Sequence, residues 1–341
     1  MPKRINNIFK EKIKFKYMLE AYKRASQGKH NNKEVILFEM NLGSNIAGIL
    51  KEVYYDKYKI GIYRKFIVYE PKRREIMSLP FKDRVIHQWY VEEFIKPIFY
   101  PQFINSTYAC IENRGVHKAT KKLQQYMKIK YKQNTDYYIL KCDIKKFFYN
   151  INKQILYNII EKSVKDKEFL KFTKKLIFDG TGKEKIPIGN YTSQWFANIY
   201  LNELDHYIKE KMKVKCYVRY MDDFVLILDT KEECKYILRN IKQYLEEHLK
   251  LELNSKTNYF KNKQGVNFCG YKIYNNKIYL VKGNKKKIYK RVKKWNELYD
   301  KGKLDIMRAA RSLEAWKGHA SHCTSLGIIK TVSKKCNWIY Q

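Results

Sequence analysis

The sequence lacks the features of a disulfide-stabilised, secreted or membrane-spanning protein. Its seven cysteines are an odd number, are widely scattered and never form a Cys-x-x-Cys pair, so neither a disulfide framework nor a zinc site is indicated. No segment approaches the ~18 apolar residues of a spanning helix, and the N-terminal stretch has neither the apolar core nor the cleavage site of a secretory leader. We therefore expect a cytoplasmic protein whose cysteines are reduced and mostly buried.

Acidic residues are scarce as well. The 341 residues include 71 Lys and Arg but only 34 Asp and Glu, which gives a formal net charge of +37. This excess is larger than solubility requires and predicts a polyanionic partner. An anionic membrane surface is one such partner, but the 30 Tyr and 17 Phe spread through the chain are better suited to stacking on bases and filling a core. The composition therefore favours nucleic acid.

The hydrophobic pattern predicts a chain of mixed helices and strands. The hydrophobic content of 45% is sufficient for a sizeable core. Residues 1–60 show helical spacing, and "YRKFIVYEPKRREIMSLP" predicts a hairpin with a basic tip at Lys72, Arg73 and Arg74. The C-terminal stretch from about Lys285 is helical and strongly basic, and the sequence contains no internal repeat.

Three aspartates occur where apolar strand patterns end or turn. "YYILKCDIKKFF" predicts a strand that runs into Asp143, and "VRYMDDFVLI" predicts two short strands joined by a turn that carries Asp222 and Asp223. Adjacent carboxylates raise each other's pKa, so they need either exposure at a turn or bound cations. If the strands are antiparallel neighbours, the three carboxylates converge and suit two-metal phosphoryl transfer with Mg²⁺. An ordinary exposed turn is the alternative for the acid pair alone.

These stretches resemble the ordered motifs of reverse transcriptases. The tetrad Tyr220-Met221-Asp222-Asp223 resembles motif C, and "LKCDIKKFFYNI" resembles motif A with Asp143 as the remaining metal ligand. In addition, "INSTYACIENRGVHKA" resembles block 2, "KIPIGNYTSQWFANIYLNELD" motif B, "LNSKTNYF" motif D and "NFCGYKI" the primer-grip motif E. The resemblance implies an α+β right-hand polymerase fold and RNA-directed DNA synthesis.

The resemblance also implies a domain order. Residues 1–60 would be an N-terminal helical extension, residues 61–275 the fingers and palm, and residues 276–341 a helical thumb. Within the second of these regions, the fingers would be mainly 61–136 and 155–187, and the palm an antiparallel sheet flanked by helices. The length suits an enzyme that we expect to lack maturase, endonuclease and RNase H domains.

The resemblance assigns roles to further residues. The three aspartates would be catalytic ligands of two Mg²⁺ ions, for which Mn²⁺ can substitute, and Lys256 would protonate the departing pyrophosphate. Phe148 would be the steric gate against a ribose 2′-hydroxyl, while its neighbour Phe147 would belong to the core. Either Arg73 or Arg74 would grip the triphosphate. The implied nucleotide-binding residues are Lys72, Arg73, Arg74, Phe148, Ile188, Gly189 and Gln194, and the implied primer or template contacts are Tyr220, Met221 and Gly270.

The loop of motif B indicates a subfamily. Group II intron and retron enzymes usually carry Q-G-x-x-x-S-P here, whereas this chain reads I-G-N-Y-T-S-Q from Ile188 to Gln194. That pattern resembles the reverse transcriptases of diversity-generating retroelements. It implies that a template-repeat RNA is copied from a primer with deoxynucleotides, giving an RNA–DNA hybrid with errors opposite adenine. The complementary DNA would then diversify a target gene by mutagenic retrohoming. It also implies a small basic accessory protein, which we expect to be oligomeric.

Other interpretations remain open at this point. A branched aliphatic Ile188 would remove hydrogen bonds that enforce one base-pair geometry, but taken alone it could simply pack beneath the loop. The enzyme could instead be a retron-type or abortive-infection antiphage reverse transcriptase. In a different class, the chain could be a catalytically idle RNA-binding scaffold, although a scaffold has no use for three converging acids.

Overall fold

The computed structural model describes residues 5–69, 73–179 and 186–339, which form helices and three antiparallel sheets. The helices are α1 (Phe15–Ser26), α2 (Lys33–Met40), α3 (Leu42–Tyr54), α4 (Phe81–Tyr90), α5 (Lys96–Phe99), α6 (Val116–Gln133), α7 (Phe147–Asn150), α8 (Lys153–Ser163), α9 (Lys167–Ile177), α10 (Tyr191–His206), α11 (Lys231–Leu249), α12 (Lys282–Asp300), α13 (Ile306–Ala320) and α14 (Leu326–Lys334). The strands are β1 (Arg64–Val68), β2 (Arg74–Ser78), β3 (Tyr138–Asp143), β4 (Tyr217–Tyr220), β5 (Asp223–Leu228), β6 (Asn258–Lys261), β7 (Val266–Phe268), β8 (Tyr271–Ile273) and β9 (Ile278–Leu280).

The chain divides into two compact units, each built from separate stretches of sequence. The first unit comprises Met1–Asn105, Ile144–Lys213 and Arg239–Ser255, and the second comprises Ser106–Asp143, Val214–Leu238 and Lys256–Gln341. The predicted boundaries of extension, fingers, palm and thumb stay a prediction.

Side-chain caps determine where two helices of the first unit begin. Asn152 precedes α8, and its Oδ1 accepts hydrogen bonds at 3.0 Å from the backbone N–H groups of Gln154 and Ile155. Asp166 precedes α9 in the same way and accepts a 3.0 Å bond from the N–H of Phe169. These bonds satisfy donors that have no partner inside the first helical turn. We made no prediction for α9, although an acidic cap followed by an amphipathic run signals it in the sequence.

Aromatic side chains form much of the first unit's core. The ring of Phe9, which precedes α1, lies 5.7 Å from that of Trp89 on α4 and 5.2 Å from that of Phe172 on α9, measured between centroids. Phe94 completes the group, with its ring 5.5 Å from Phe9. All four side chains are buried. Because aromatic rings bury large apolar areas, this cluster fastens the N-terminal segment to the helices that follow the hairpin.

The β1–β2 hairpin is closely joined to the loop that precedes α10. The two strands pair antiparallel, as predicted, with Arg64 opposite Ser78 and Val68 opposite Arg74. The backbone N–H of Met77 on β2 donates a 2.9 Å hydrogen bond to the carbonyl oxygen of Ile188. The next residue, Gly189, has a φ of +133°, and a Cβ there would lie 2.6 Å from the carbonyl oxygen of Met77. Only glycine fits this approach.

A four-stranded antiparallel sheet forms the centre of the second unit. Its strand order is β4-β5-β3-β6, so β3 lies between β5 and β6. This order confirms the prediction that the strand ending at Asp143 neighbours the β4–β5 hairpin. One detail differs, because Asp223 is the first residue of β5 and the turn itself consists of Met221 and Asp222.

The C-terminal part of the second unit contains a three-stranded sheet followed by helices. Strands β7, β8 and β9 pair in that order, and helices α12, α13 and α14 share a separate hydrophobic core. The core includes Ile288, Val292, Trp295, Leu313 and Trp338. The predicted basic helices after Lys285 are therefore confirmed.

The cysteines are reduced, as expected, but fewer of them are buried than expected. All seven cysteines are free thiols, but only Cys142, Cys234 and Cys336 are buried, so the expectation of mostly buried cysteines was wrong. The other four lie at turns or bends, where the backbone approaches the surface.

Within residues 5–69, 73–179 and 186–339, none of the helices combines the length and apolarity needed to span a bilayer.

The close approach at Gly189 generates a stability prediction. We expect Gly189→Ala to lower the free energy of unfolding by about 2–4 kcal/mol, since the new Cβ both clashes with Met77 and occupies a left-handed backbone region. Gly48→Ala is the matched control: it lies within α3 with open space around it, and should raise stability by about 0.5–1 kcal/mol. Urea unfolding followed by circular dichroism measures both, and equal stabilities for the two variants would contradict the interpretation.

Candidate active site

Two of the predicted catalytic aspartates face each other across neighbouring strands. Asp143, the last residue of β3, is the direct register partner of Asp223, the first residue of β5. Directly opposed residues of an antiparallel pair project from the same face of the sheet, so the two carboxylates lie on one side. Asp222 is the residue before Asp223 and lies in the turn between β4 and β5. The second unit therefore holds the three acids that the sequence singled out, with Asp143 and Asp223 on one face of the sheet and Asp222 next to Asp223 in the chain.

The turn between β4 and β5 is held by a buried arginine that sequence reasoning missed. Tyr220 pairs with Asp223, which leaves Met221 and Asp222 as a two-residue loop, and Met221 adopts a φ of +57°. A positive φ at the first loop residue matches the twist of a tight hairpin but strains a residue other than glycine. The Nη1 of Arg219 donates a 3.1 Å hydrogen bond to the carbonyl oxygen of Met221, and this side chain is 0% exposed.

Further bonds connect Arg219 to the segment before α6. Its Nη2 lies 3.4 Å from Thr107 Oγ1, its backbone N–H donates to Ser106 at 2.9 Å, and its carbonyl accepts from Tyr108 at 3.0 Å. A charged residue inside the apolar run "CYVRYMDD" was the available signal, because a buried guanidinium requires several partners. Arg219 thus links the acid-bearing turn to residues 106–108 through side-chain and backbone hydrogen bonds.

A lysine supplies a counter-charge to Asp223. The Nζ of Lys141 lies 3.1 Å from Asp223 Oδ2 and also donates a 2.7 Å hydrogen bond to the carbonyl oxygen of Asn267. Burial raises the pKa of Asp223 to about 6, the Lys141 ammonium opposes this shift, and the carboxylates of Asp143 and Asp222 add to it. The environment of Asp223 thus calls for more positive charge than one ammonium provides.

The acids fit a divalent cation chemically. Asp223 Oδ1 is buried and has no hydrogen-bond partner among the residues that the structure describes, and carboxylate oxygens are the ligands that Mg²⁺ prefers. Within the described ranges, no three His, Cys, Asp or Glu side chains stand close enough to hold a metal ion as they are placed. The assignment of Asp143, Asp222 and Asp223 as metal ligands therefore stays a prediction, and it is one that the donor chemistry supports.

The remaining predicted residues of the second unit lie at turns near these strands. Lys256 is exposed in the turn before β6, and its neighbour Thr257 accepts a 3.3 Å hydrogen bond at Oγ1 from the backbone N–H of Asp143. Gly270 and Cys269 form the two-residue turn between β7 and β8, with φ values of +87° and +50°. Positive φ at both positions is the geometry that favours glycine in a tight hairpin.

The predicted nucleotide-binding residues belong to the first unit. Arg73 and Arg74 are both exposed at the end of the β1–β2 hairpin, whereas Lys72 lies outside the described residues. Phe147 is buried, as predicted, and Phe148 beside it is half-buried. Two aromatic neighbours in α7 therefore differ in accessibility, as a core residue and a substrate-facing residue would.

The motif B residues surround the start of α10. Ile188 is half-buried and bonded through its carbonyl oxygen to β2, Gly189 is exposed, and Gln194 is exposed on the first turns of α10. Another residue of this loop, Asn190, is buried and makes a side-chain contact that the sequence did not predict.

Comparisons with known proteins agree with this geometry. The sequence profile of the family "Reverse transcriptase (RNA-dependent DNA polymerase)" matches residues 70–273, which include all three aspartates. Protein YkfC of Escherichia coli strain K12 is 24% identical over 251 residues, covering 60% of this chain and 65% of that protein. Group II intron-encoded protein LtrA of Lactococcus lactis subsp. cremoris is 24% identical over 274 residues, covering 59% of this chain and 45% of that protein. The chain thus spans less than two thirds of the length of either relative.

A solved structure shares the fold. Apo telomerase from Candida tropicalis, truncated from its C-terminal domain, superposes with a TM-score of 0.50 at 13% identity, covering 64% of this chain and 54% of that one. The likeness and the family match confirm the predicted α+β right-hand polymerase fold. Since the family profile covers more than half of the chain, this protein belongs to the reverse transcriptase (RNA-dependent DNA polymerase) family.

Proposed function

We propose that this protein copies an RNA template into DNA by adding deoxynucleotides to a primer. The observation that carries the proposal is the placement of Asp143 opposite Asp223, beside Asp222, within the residues that match the family. A formal charge of +37 supports nucleic acid as the partner, because counter-ion release from phosphates drives the binding of basic proteins. A scaffold that only binds RNA would not need opposed carboxylates in its central sheet.

The side chains of the second unit would hold the reacting groups. Asp143, Asp222 and Asp223 would bind two divalent ions, which when present activate the primer 3′-hydroxyl and stabilise the pyrophosphate. Lys256 would give a proton to the departing pyrophosphate. The primer and template would contact Tyr220, Met221 and Gly270, and the basic helices α12–α14 would follow the backbone of the RNA–DNA hybrid.

The side chains of the first unit would select the nucleotide. Arg73 or Arg74 would bind the triphosphate through a guanidinium fork, with Lys72 as a further candidate. Phe148 would exclude a ribose 2′-hydroxyl by its volume, and the Ile188–Gly189 turn would contact the base pair being formed. These assignments rest on the motifs and on the accessibility of the side chains.

Primer extension tests the assignment of the acids. We expect Asp222→Asn together with Asp223→Asn to reduce extension of a primed RNA by about a thousandfold or more, because amides do not supply the charge that holds divalent ions. The measurement is incorporation of deoxynucleotides with Mg²⁺, and with Mn²⁺ in parallel.

The matched control replaces two exposed aspartates of the same unit, Asp136→Asn with Asp229→Asn. Each makes a surface ion pair, and such pairs contribute little to stability, so the control should keep the activity of the unmodified protein. Full activity in the Asp222/Asp223 variant would overturn the metal assignment. Unchanged RNA binding with no extension by the unmodified protein would instead favour the idle scaffold.

We further propose that the enzyme serves a diversity-generating retroelement. The support is the motif B loop, where Ile188 and Gln194 replace the amide and proline of other bacterial enzymes. An aliphatic side chain at the forming base pair cannot make the hydrogen bonds that reject a wrong geometry. The expected partners are a template-repeat RNA and a small basic accessory protein, with misincorporation opposite adenine as the outcome.

Sequencing of the DNA product tests the subtype. We expect errors concentrated opposite template adenines, and we expect Ile188→Gln to lower that error frequency roughly tenfold, since about 1.4 kcal/mol of added discrimination corresponds to a factor of ten. Ile36→Gln on α2, where the isoleucine is exposed, is the matched control and should leave the error spectrum unchanged. Uniform errors in the unmodified enzyme would favour a retron-type or antiphage enzyme, and an unaffected Ile188→Gln spectrum would refute the role of that residue.

A further inference from the structure

A buried ion pair of the first unit has an unexpected neighbour. The Nζ of Lys153, at the start of α8, lies 2.8 Å from Asp179 Oδ1, and both side chains are only 1% exposed. The second oxygen of that carboxylate, Oδ2, accepts a 2.6 Å hydrogen bond from the hydroxyl of Tyr63, which precedes β1. Replacing a buried ion pair by apolar packing of the same volume is often neutral or stabilising, so stability alone does not account for this pair.

The hydroxyl of Tyr63 also bonds to the motif B loop. Its oxygen accepts a 2.7 Å hydrogen bond from Asn190 Nδ2. Burial and the nearby Asp179 carboxylate raise the pKa of Tyr63, so the phenol keeps its proton. A single hydroxyl proton can be given only once, and Asp179 takes it. The free lone pairs of Tyr63 therefore face Asn190, which must present its NH₂ group.

The side chain of Asn190 bonds to Tyr63 instead of capping α10. It occupies the N-cap position of α10, where asparagine ordinarily accepts a hydrogen bond from the first helical turn, yet its side chain makes no capping bond. Its amide turns instead to Tyr63. A residue type that suits capping but does not cap indicates that the other contact determines its orientation.

The turn before α10 is consequently held at two points. Ile188 is bonded through its carbonyl oxygen to Met77 of β2, and Asn190 is bonded through its side chain to Tyr63, one residue before β1. Gly189 lies between them with its strained φ of +133°. One attachment is on β2 and the other lies immediately before β1, so the position of this turn depends on the hydrogen bonds of Tyr63 as well as on the backbone.

We propose that Lys153, Asp179, Tyr63 and Asn190, hereafter the buried network, are positioning residues that determine how the Ile188–Asn190 turn receives the incoming nucleotide. None of the four is proposed to touch the reacting atoms. Lys153 orients Asp179, Asp179 orients the hydroxyl of Tyr63, and Tyr63 orients Asn190. The inference rests on the proposed template-copying function for its effect on nucleotide selection, while its structural content is independent of that function.

Removal of one hydroxyl tests the network. Tyr63→Phe keeps the ring and deletes the atom that joins Asp179 to Asn190. We expect the KM for deoxynucleotides to rise about fivefold, in line with the loss of one hydrogen bond, with kcat within twofold of the unmodified enzyme and more frequent misincorporation. Tyr54→Phe, on the exposed face of α3, is the matched control and should change none of these. A fall in kcat with unchanged KM would overturn the positioning role.

A double-mutant cycle tests whether Tyr63 and Asn190 act through the same connection or destabilise the turn independently. Asn190→Ala should raise KM by a similar factor, and Tyr63→Phe combined with Asn190→Ala should raise it no further than either change alone, because both remove the same connection. If the two factors multiply, the residues act independently and the proposed network is wrong.

Amide hydrogen exchange provides a readout without catalysis. In Tyr63→Phe, the N–H groups of Met77, Gly189 and Tyr191 should exchange about fivefold faster than in the unmodified protein, while Tyr54→Phe should match the unmodified protein. If the unmodified protein extends no primer, the proposed function fails. The exchange rates of the three amides then test by themselves whether the buried network holds the turn. Unchanged exchange at these three amides would overturn the inference whatever the enzymatic result.

Discussion

Asp143 and Asp223 face each other across β3 and β5, and two carboxylates in that position repel each other unless positive charge lies nearby. The strand register places the two carboxylates opposite each other, and it also places a positive charge beside them. Lys141 lies two residues before Asp143 on the same strand, shares its face of the sheet and reaches Asp223 at 3.1 Å. A slip of one residue in the pairing would send Asp143 and Lys141 to the other face together. The acid site therefore depends on the register of a single strand pair.

Local patterns made much of the fold predictable. The β1–β2 hairpin, β3 ending at Asp143 and the β4–β5 turn all follow from short-range periodicity and turn residues, and the structure contains them. The order of the motifs likewise singles out Asp143, Asp222 and Asp223, and the structure places Asp143 opposite Asp223. Partners of polar side chains were not predictable, because they are distant in the chain: 116 residues separate Tyr63 from Asp179, and 112 separate Arg219 from Thr107. The cysteines show the same limit, since residue type does not reveal which of them lie at turns.

Buried positive charges occur beside the acid-bearing turn of the second unit and beside the turn before α10 in the first. Arg219 is fully buried under the turn that carries Asp222, and Lys153 is fully buried in the network that reaches Asn190. In a chain with 71 basic residues, the cations at the surface create a collective field that favours polyanions. These two differ because each has defined partners at hydrogen-bond distance. The same residue types thus provide long-range attraction at the surface and fixed geometry in the interior.

The strand order of the central sheet has a consequence for synthesis on the ribosome. β3 lies between β5 and β6, strands that begin 80 and 115 residues after Asp143, at Asp223 and Asn258. Chains emerge from the N-terminus, so the strand that ends at Asp143 must wait for both neighbours before it can pair. Contacts so distant in sequence also form slowly. A nascent chain therefore has no assembled acid site until translation has passed β5, which delays any binding of ions or nucleic acid there until the β4–β5 hairpin has emerged.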